Sequence, residues 1–235
     1  MNHKVMIKIA MIVMACLLVS PQVKAQRYDF ANFGRYAEAN KQLGKPAKNN
    51  KRVVFMGNSI TENWAAMCPD FFKSHGYIGR GISGQTSYQF LLRFRQDVID
   101  LQPKVVVINY GTNDIAENTG VYNEDLTFAN VQSMVDLARA NKIKVILTST
   151  LPAEKFLWRP SVTDAMVKIR HLNARVKAYA ATNKIPFVDY FSAMVSEDGK
   201  ALNPKYAPKG ETVHPDNAGY EVMEALIVPA INKIL

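Results

Sequence analysis

Apolar positions along the chain fall into two kinds of run. Residues 52–56, 77–80, 104–109, 144–149 and 186–190 are short stretches rich in β-branched and aromatic side chains, the length and composition of strands. Between and after them, apolar positions return at helical spacing. Leu91, Phe94, Val98 and Leu101 recur at i, i+3, i+7 and i+10, Val162, Met166, Ile169, Leu172, Val176 and Tyr179 form a second stripe, and Tyr220, Met223, Ile227 and Ala230 close the chain. Strands that alternate with helices predict a parallel sheet, here five strands in a three-layer α/β/α arrangement, and the order 2-1-3-4-5 would put the reversal of strand order between the first and third strands. The unbroken apolar runs 105–108 and 145–147 read as central strands covered on both faces.

Composition supports one folded domain. The chain has 235 residues, 48% hydrophobic and 21% charged, which excludes disordered and collagen-like classes. Lys4 and Lys8, an apolar stretch over 9–20 and the small residue Ala25 read as a secretory signal over 1–25, cleaved before Gln26. The run is too short to span a membrane. A lipid-modified Cys16 is the competing reading, disfavoured because apolar Leu17, Leu18 and Val19 follow where a polar tether would begin. The expected location is therefore secreted or periplasmic, with no stable membrane insertion after cleavage. Residues 26–50 are expected to form a helical extension packed on a catalytic domain over 51–235. Cys68 is then a lone thiol, read as a small buried hydrophobe.

The net charge of +9 falls by three lysines on cleavage, and the remaining surplus is scattered. Without a basic stripe interleaved with aromatics, nucleic acid is not an expected partner. Four histidines with no H-E-x-x-H spacing, and two cysteines with no C-x-x-C, give no basis for a metal site or a cofactor.

Three polar loops follow the first three strands: Gly57-Asn58-Ser59, Gly81-Ile82-Ser83-Gly84-Gln85 and Gly111-Thr112-Asn113-Asp114. Ligands of open α/β sheets sit at that edge, where strand order reverses. A serine hydroxyl needs a base to become a nucleophile. His171 sits in the predicted amphipathic helix beside Leu172, at a surface or boundary position, and His75 precedes Gly76 at a helix end, so both have ordinary structural roles. His214 lies in Glu211-Thr212-Val213-His214-Pro215, directly before the last helix, with a carboxylate three residues upstream.

At these four blocks the sequence resembles the SGNH hydrolases, also called GDSL-type lipases and acylhydrolases, whose members have a flavodoxin-like strand order. The resemblance implies an ester-hydrolysing serine enzyme. It assigns Ser59 as nucleophile, His214 as base, and the Ser59 and Gly84 backbone N–H groups with the Asn113 amide as oxyanion hole. Two positions depart from the pattern. Asn58 replaces the aspartate of G-D-S, and Glu211 replaces the aspartate that orients the histidine, leaving Asp216 as the alternative third member.

Gly79-Arg80-Gly81-Ile82-Ser83-Gly84 is also a literal G-x-G-x-x-G, but it lies on the second strand with no acid at the next strand end, against a dinucleotide site. Trp64, Trp158 and Arg159 are candidate substrate contacts that could stack on or hydrogen-bond to a sugar, and export, a compact chain and the polar loops resemble family members that remove O-acetyl groups from carbohydrate, the substrate the resemblance implies. A lipid or lysophospholipid esterase, or a thioesterase, is the alternative within the family. A carbohydrate-binding relative without catalysis is the alternative outside it. Oligomeric state is left open.

Overall fold

The computed structural model describes residues 29–235, so the expected signal segment lies outside the described residues. Among them, the five apolar runs become β1 (Val53–Gly57), β2 (Tyr77–Gly81), β3 (Val105–Ile108), β4 (Lys144–Thr148) and β5 (Phe187–Val188). All pair in parallel, in the order β2-β1-β3-β4-β5. Every side chain of β1 and β3 is buried, as continuous apolar runs require of strands covered on both sides.

The helices are α1 (Ala37–Leu43), α2 (Ser59–Met67), α3 (Pro69–His75), α4 (Ser87–Asp97), α5 (Thr112–Ile115), α6 (Glu124–Ala140), α7 (Ala165–Thr182), α8 (Tyr190–Met194) and α9 (Asn217–Ile234). α4, α6 and α7 cover one face of the sheet; α2, α3, α8 and α9 cover the other. Residues 31–235 form one compact unit.

Several predicted boundaries shift. β5 is only two residues long, because Asp189 caps α8 by accepting the Ser192 N–H and so ends the strand. α4 stops at Asp97 and a 3₁₀ turn carries Ile99–Leu101, so its buried face is Phe90 and Phe94, with Leu91 half-buried. Val162 is buried ahead of α7 rather than within it.

Among the described residues, the extension before β1 is helical over Ala37–Leu43 alone, and that helix buries no side chain. Polar contacts hold it instead. Asn40 donates to Asp97 Oδ1 at 2.7 Å and accepts from Arg80 Nε at 2.8 Å, while the Tyr36 hydroxyl donates to the Gly81 carbonyl.

His75 ends α3 with Nδ1 2.9 Å from the Phe71 carbonyl, and Gly76 follows in the left-handed region, a C-terminal cap. Cys68 sits half-buried between α2 and α3. Burial, with Glu224 adding to it, pushes its thiol up to about 11, which keeps it protonated and unreactive.

Candidate active site

β1 delivers the first loop. Asn58 caps α2 by accepting the Ile60 N–H at 3.0 Å, so the neutral amide performs the capping that an aspartate would. Ser59 is the first residue of that helix, where backbone N–H groups have no partner within the helix. Its hydroxyl is thereby fixed at the carboxyl edge of the sheet.

The second loop comes from β2, which runs close beneath α2. A Cβ on Gly81 would stand 2.3 Å from the Glu62 nitrogen and 2.6 Å from the Asn58 carbonyl, and one on Gly79 would stand 2.7 Å from the Ala65 Cβ. The glycines of the apparent nucleotide fingerprint are therefore accounted for by strand-to-helix packing. Gly84 turns the chain with φ +77°, a conformation that favours glycine.

In the third loop Gly111 has φ +94°, and Asn113 lies in the first turn of α5. Asn113 Nδ2 donates to the Gln85 carbonyl at 2.9 Å. A primary amide has two N–H groups, so one remains to face the depression that Asn113 lines.

A buried cation binds the first two loops together. Arg93 donates from Nη2 to the Gly57 carbonyl at 3.0 Å, from Nη1 to the Arg80 carbonyl at 2.9 Å and from Nε to Gln85 Oε1 at 2.6 Å. Its charge is balanced by Asp97 at 2.9 Å. Asp114 ties the start of α4, just after the second loop, to the third loop, since its carboxylate accepts both the N–H and the hydroxyl of Ser87. Burial raises the Asp114 carboxyl above its ordinary range despite these bonds.

His214 arrives from the loop before α9, with Nε2 2.8 Å from Ser59 Oγ. Its Nδ1 is 3.3 Å from Glu211 Oε2. The other Glu211 oxygen accepts from Thr212 N at 2.8 Å and Val213 N at 2.9 Å. Burial alone would raise this carboxyl, but those two backbone bonds and His214 outweigh it and hold it below the ordinary range. Asp216 faces the other way, capping α9 through the Gly219 N–H at 3.0 Å.

Ser59, Gly84, Asn113 and His214 thus meet in one depression of about 370 Å³, which Asn63, Ser83, Asn118 and Trp158 also line. A hydroxyl within hydrogen-bond distance of an imidazole, beside an amide with an N–H to spare, has parts suited to forming and collapsing a tetrahedral oxyanion. Residues 55–222 match the GDSL-like lipase/acylhydrolase family. The chain belongs to that family.

Membership places it among ester hydrolases. A GDSL-like lipase from Bacteroides thetaiotaomicron is 64% identical, with TM-score 0.86 over 88% of this chain and 100% of that one. A structure from Bacteroides fragilis is 68% identical, with TM-score 0.85 over 88% of this chain and 98% of its own. The acetylxylan esterase of Xylanibacter ruminicola is 23% identical over 81% of this chain. The chain spans less than half the length of the curated relatives it matches, 45% of that esterase and 32% of a Bacillus subtilis lipoprotein.

One expected substrate contact needs correction within this GDSL-family site. Trp64 is only 1% exposed and stacks between Phe71 and Tyr220, with its indole N–H on Glu224 at 3.0 Å. It is a core residue on the buried face of α2. Arg159 donates from Nη2 to the Glu117 carbonyl at 3.0 Å and is not among the residues lining the depression. Trp158 does line the site, 45% exposed, its ring centre 6.5 Å from that of His214.

Sequence reasoning missed Asn63, Glu62 and Asn118. Asn63 lies four residues after Ser59, one helical turn on, a spacing that placed it beside the serine. Glu62 accepts the N–H and hydroxyl of Ser83 at 2.7 and 2.6 Å and pairs with Arg35 at 2.7 Å. Its place three residues after the serine gave no hint of that partner across the loop.

Proposed function

We propose that the chain is an exported serine esterase that removes O-acetyl groups from carbohydrate through an acyl-enzyme on Ser59. The observation that carries the reading is the 2.8 Å contact between Ser59 Oγ and His214 Nε2. In the reaction His214 takes the hydroxyl proton as Oγ attacks the ester carbon. The negative oxygen that results is held by the Ser59 and Gly84 N–H groups and the free N–H of Asn113. Glu211 fixes the tautomer of His214 and stabilises its imidazolium.

The imidazolium then gives its proton to the departing sugar oxygen as the carbonyl re-forms. Water attacks the acyl-enzyme next, losing a proton to His214, and that proton returns to Ser59 Oγ as acetic acid leaves. The acid then gives its remaining proton to solvent, so Ser59 and His214 end as they began.

The substrate class rests on the depression itself. It is small, and Asn63, Ser83 and Asn118 surround the serine with amide and hydroxyl groups suited to sugar hydroxyls, with Trp158 as an apolar face. The likeness to a protein named as an acetylxylan esterase supports the same reading. Export rests on the basic and then apolar pattern of residues 1–25.

An organophosphonate that labels activated serines should react once per chain, at Ser59. Ser59→Ala should abolish the label and lower kcat by about 10⁴-fold or more. Acetylated xylo-oligosaccharides should exceed decanoyl esters in kcat/KM. The reverse order would establish the lipid esterase reading instead.

A further inference from the structure

Gly84 supplies a proposed oxyanion donor from a loop whose glycine backbone has wide rotational freedom. Its N–H belongs to the peptide joining Ser83 to Gly84, so the two neighbouring peptides determine where that N–H points. The preceding peptide is held by Glu62, which accepts the Ser83 N–H at 2.7 Å. The following one is held by Asn118, whose Nδ2 donates to the Gly84 carbonyl at 3.0 Å.

Asn118 is itself well anchored. Its backbone N–H donates to the Asn113 carbonyl at 3.1 Å, so it touches both non-serine residues of the proposed oxyanion hole. The turn before it places Glu117 at φ +58°, and the Glu117 carbonyl accepts from Arg159. The remaining side-chain atom, Oδ1, accepts the indole N–H of Trp158 at 2.9 Å. One amide therefore spends its acceptor on the exposed aromatic ring and a donor on the oxyanion loop.

We propose that Asn118 is a positioning residue that directs the Gly84 N–H at the developing oxyanion and orients Trp158 as a platform for the sugar being deacetylated. The inference rests on the esterase reading above and deepens it by coupling sugar binding to the donor array. A ring tethered this way presents a fixed face to the leaving group, and the load on that ring is shared with the peptide beside the oxyanion.

Asn118→Ala and Asn118→Asp separate the two tethers, with ethyl acetate and an acetylated xylo-oligosaccharide as substrates. Both variants lose the donor to Gly84, so both should lower kcat on ethyl acetate by about 100-fold, the cost of a misplaced group. The KM for ethyl acetate should stay within about twofold, since that ester makes no use of the platform. Phosphonate labelling of Ser59 should slow in parallel. Asn118→Asp keeps an acceptor for the indole and should leave the KM for the oligosaccharide near that of the parent. Asn118→Ala should raise it about five- to tenfold, and Trp158→Phe should raise it similarly by keeping a ring without the N–H.

Unchanged kcat in both Asn118 variants would overturn the inference. So would a loss that tracks a fall in Tm without the split between kcat and KM, because that would make Asn118 merely structural. A parent protein that neither hydrolyses ethyl acetate nor takes the phosphonate would instead defeat the esterase reading, and this inference with it.

Discussion

Glu211 spends one oxygen on its own loop and has one left for the histidine. With Oε1 holding the Thr212 and Val213 N–H groups, only Oε2 faces His214, at 3.3 Å. The extra methylene relative to aspartate is absorbed by this fold-back, which keeps the carboxylate beside Nδ1. Glu211→Gln should therefore lower kcat on a small acetate ester by about 10²- to 10⁴-fold, less than Ser59→Ala, because base and oxyanion donors survive. A loss under about threefold would leave a Ser59–His214 dyad. Asp216→Ala is the matched comparison: it removes the cap of α9, costing about 1 kcal/mol of stability in denaturant titration, with kcat unchanged. Asn58 shows the cost of the other departure, for its Oδ1 caps Ile60 while its buried Nδ2 finds no partner among the described residues.

At the scale of elements, the glycines of β2 set how closely α2 can lie on the sheet. Gly81→Ala would drive a methyl into backbone at 2.3–2.7 Å, so it should destabilise the fold by about 1–3 kcal/mol. Gly34→Ala, with nothing within 4 Å of the added carbon, should be near neutral in the same denaturation measurement. The five strands were legible because a short continuous apolar run, set between helical stripes, fits a strand buried on both faces and little else. Their ends were less legible, since β5 is cut short by a cap on Asp189 whose partner, the Ser192 N–H, exists only once α8 has turned. The same limit governs the site. Ser59, Gly84, Asn113 and His214 each follow a strand or precede a helix, so order along the chain placed them. Trp64 and Trp158 are alike as letters, and only the packing of α2 against α9 makes one of them core. Asn118 and Glu62 act through partners more than 20 residues away, a relation that no local pattern encodes.

For the whole molecule, parallel topology sorts charge. The C-termini of α6, α7 and α9 all end at the edge of the sheet opposite the site, where Arg139, Lys142, Lys144, Lys184 and Lys233 line a depression. Cations at helix C-termini complement the partial negative charge there, and Lys144 donates to the Ile234 carbonyl while Arg139 donates to that of Asn183. Five cations are thus gathered by the fold where they complement helix ends.

The carboxylates give stability an acid dependence with two opposing parts. Burial would raise Glu62, Asp189 and Glu211, but bonds from Ser83 and Arg35, from Ser192 and Lys177, and from Val213, Thr212 and His214 outweigh it and leave all three below the ordinary range. Each contributes stability that is fully present above the ordinary carboxylate pKa near 4 and is lost as pH falls through its depressed value. Asp114 has the opposite sign. Burial raises it, so the cost of keeping it ionised is in place above its raised pKa and is relieved as acidification protonates it. That relief lies above the ordinary range and the losses lie below it, so it comes first. Tm measured by calorimetry should therefore rise slightly as pH drops into the mildly acidic range and then fall steeply below about pH 4. Asp114→Asn should remove the rise, and Glu62→Gln should make the fall shallower. A curve that declines steadily from neutral pH, in the parent and in Asp114→Asn alike, would show that Asp114 is held ionised without cost by Ser87.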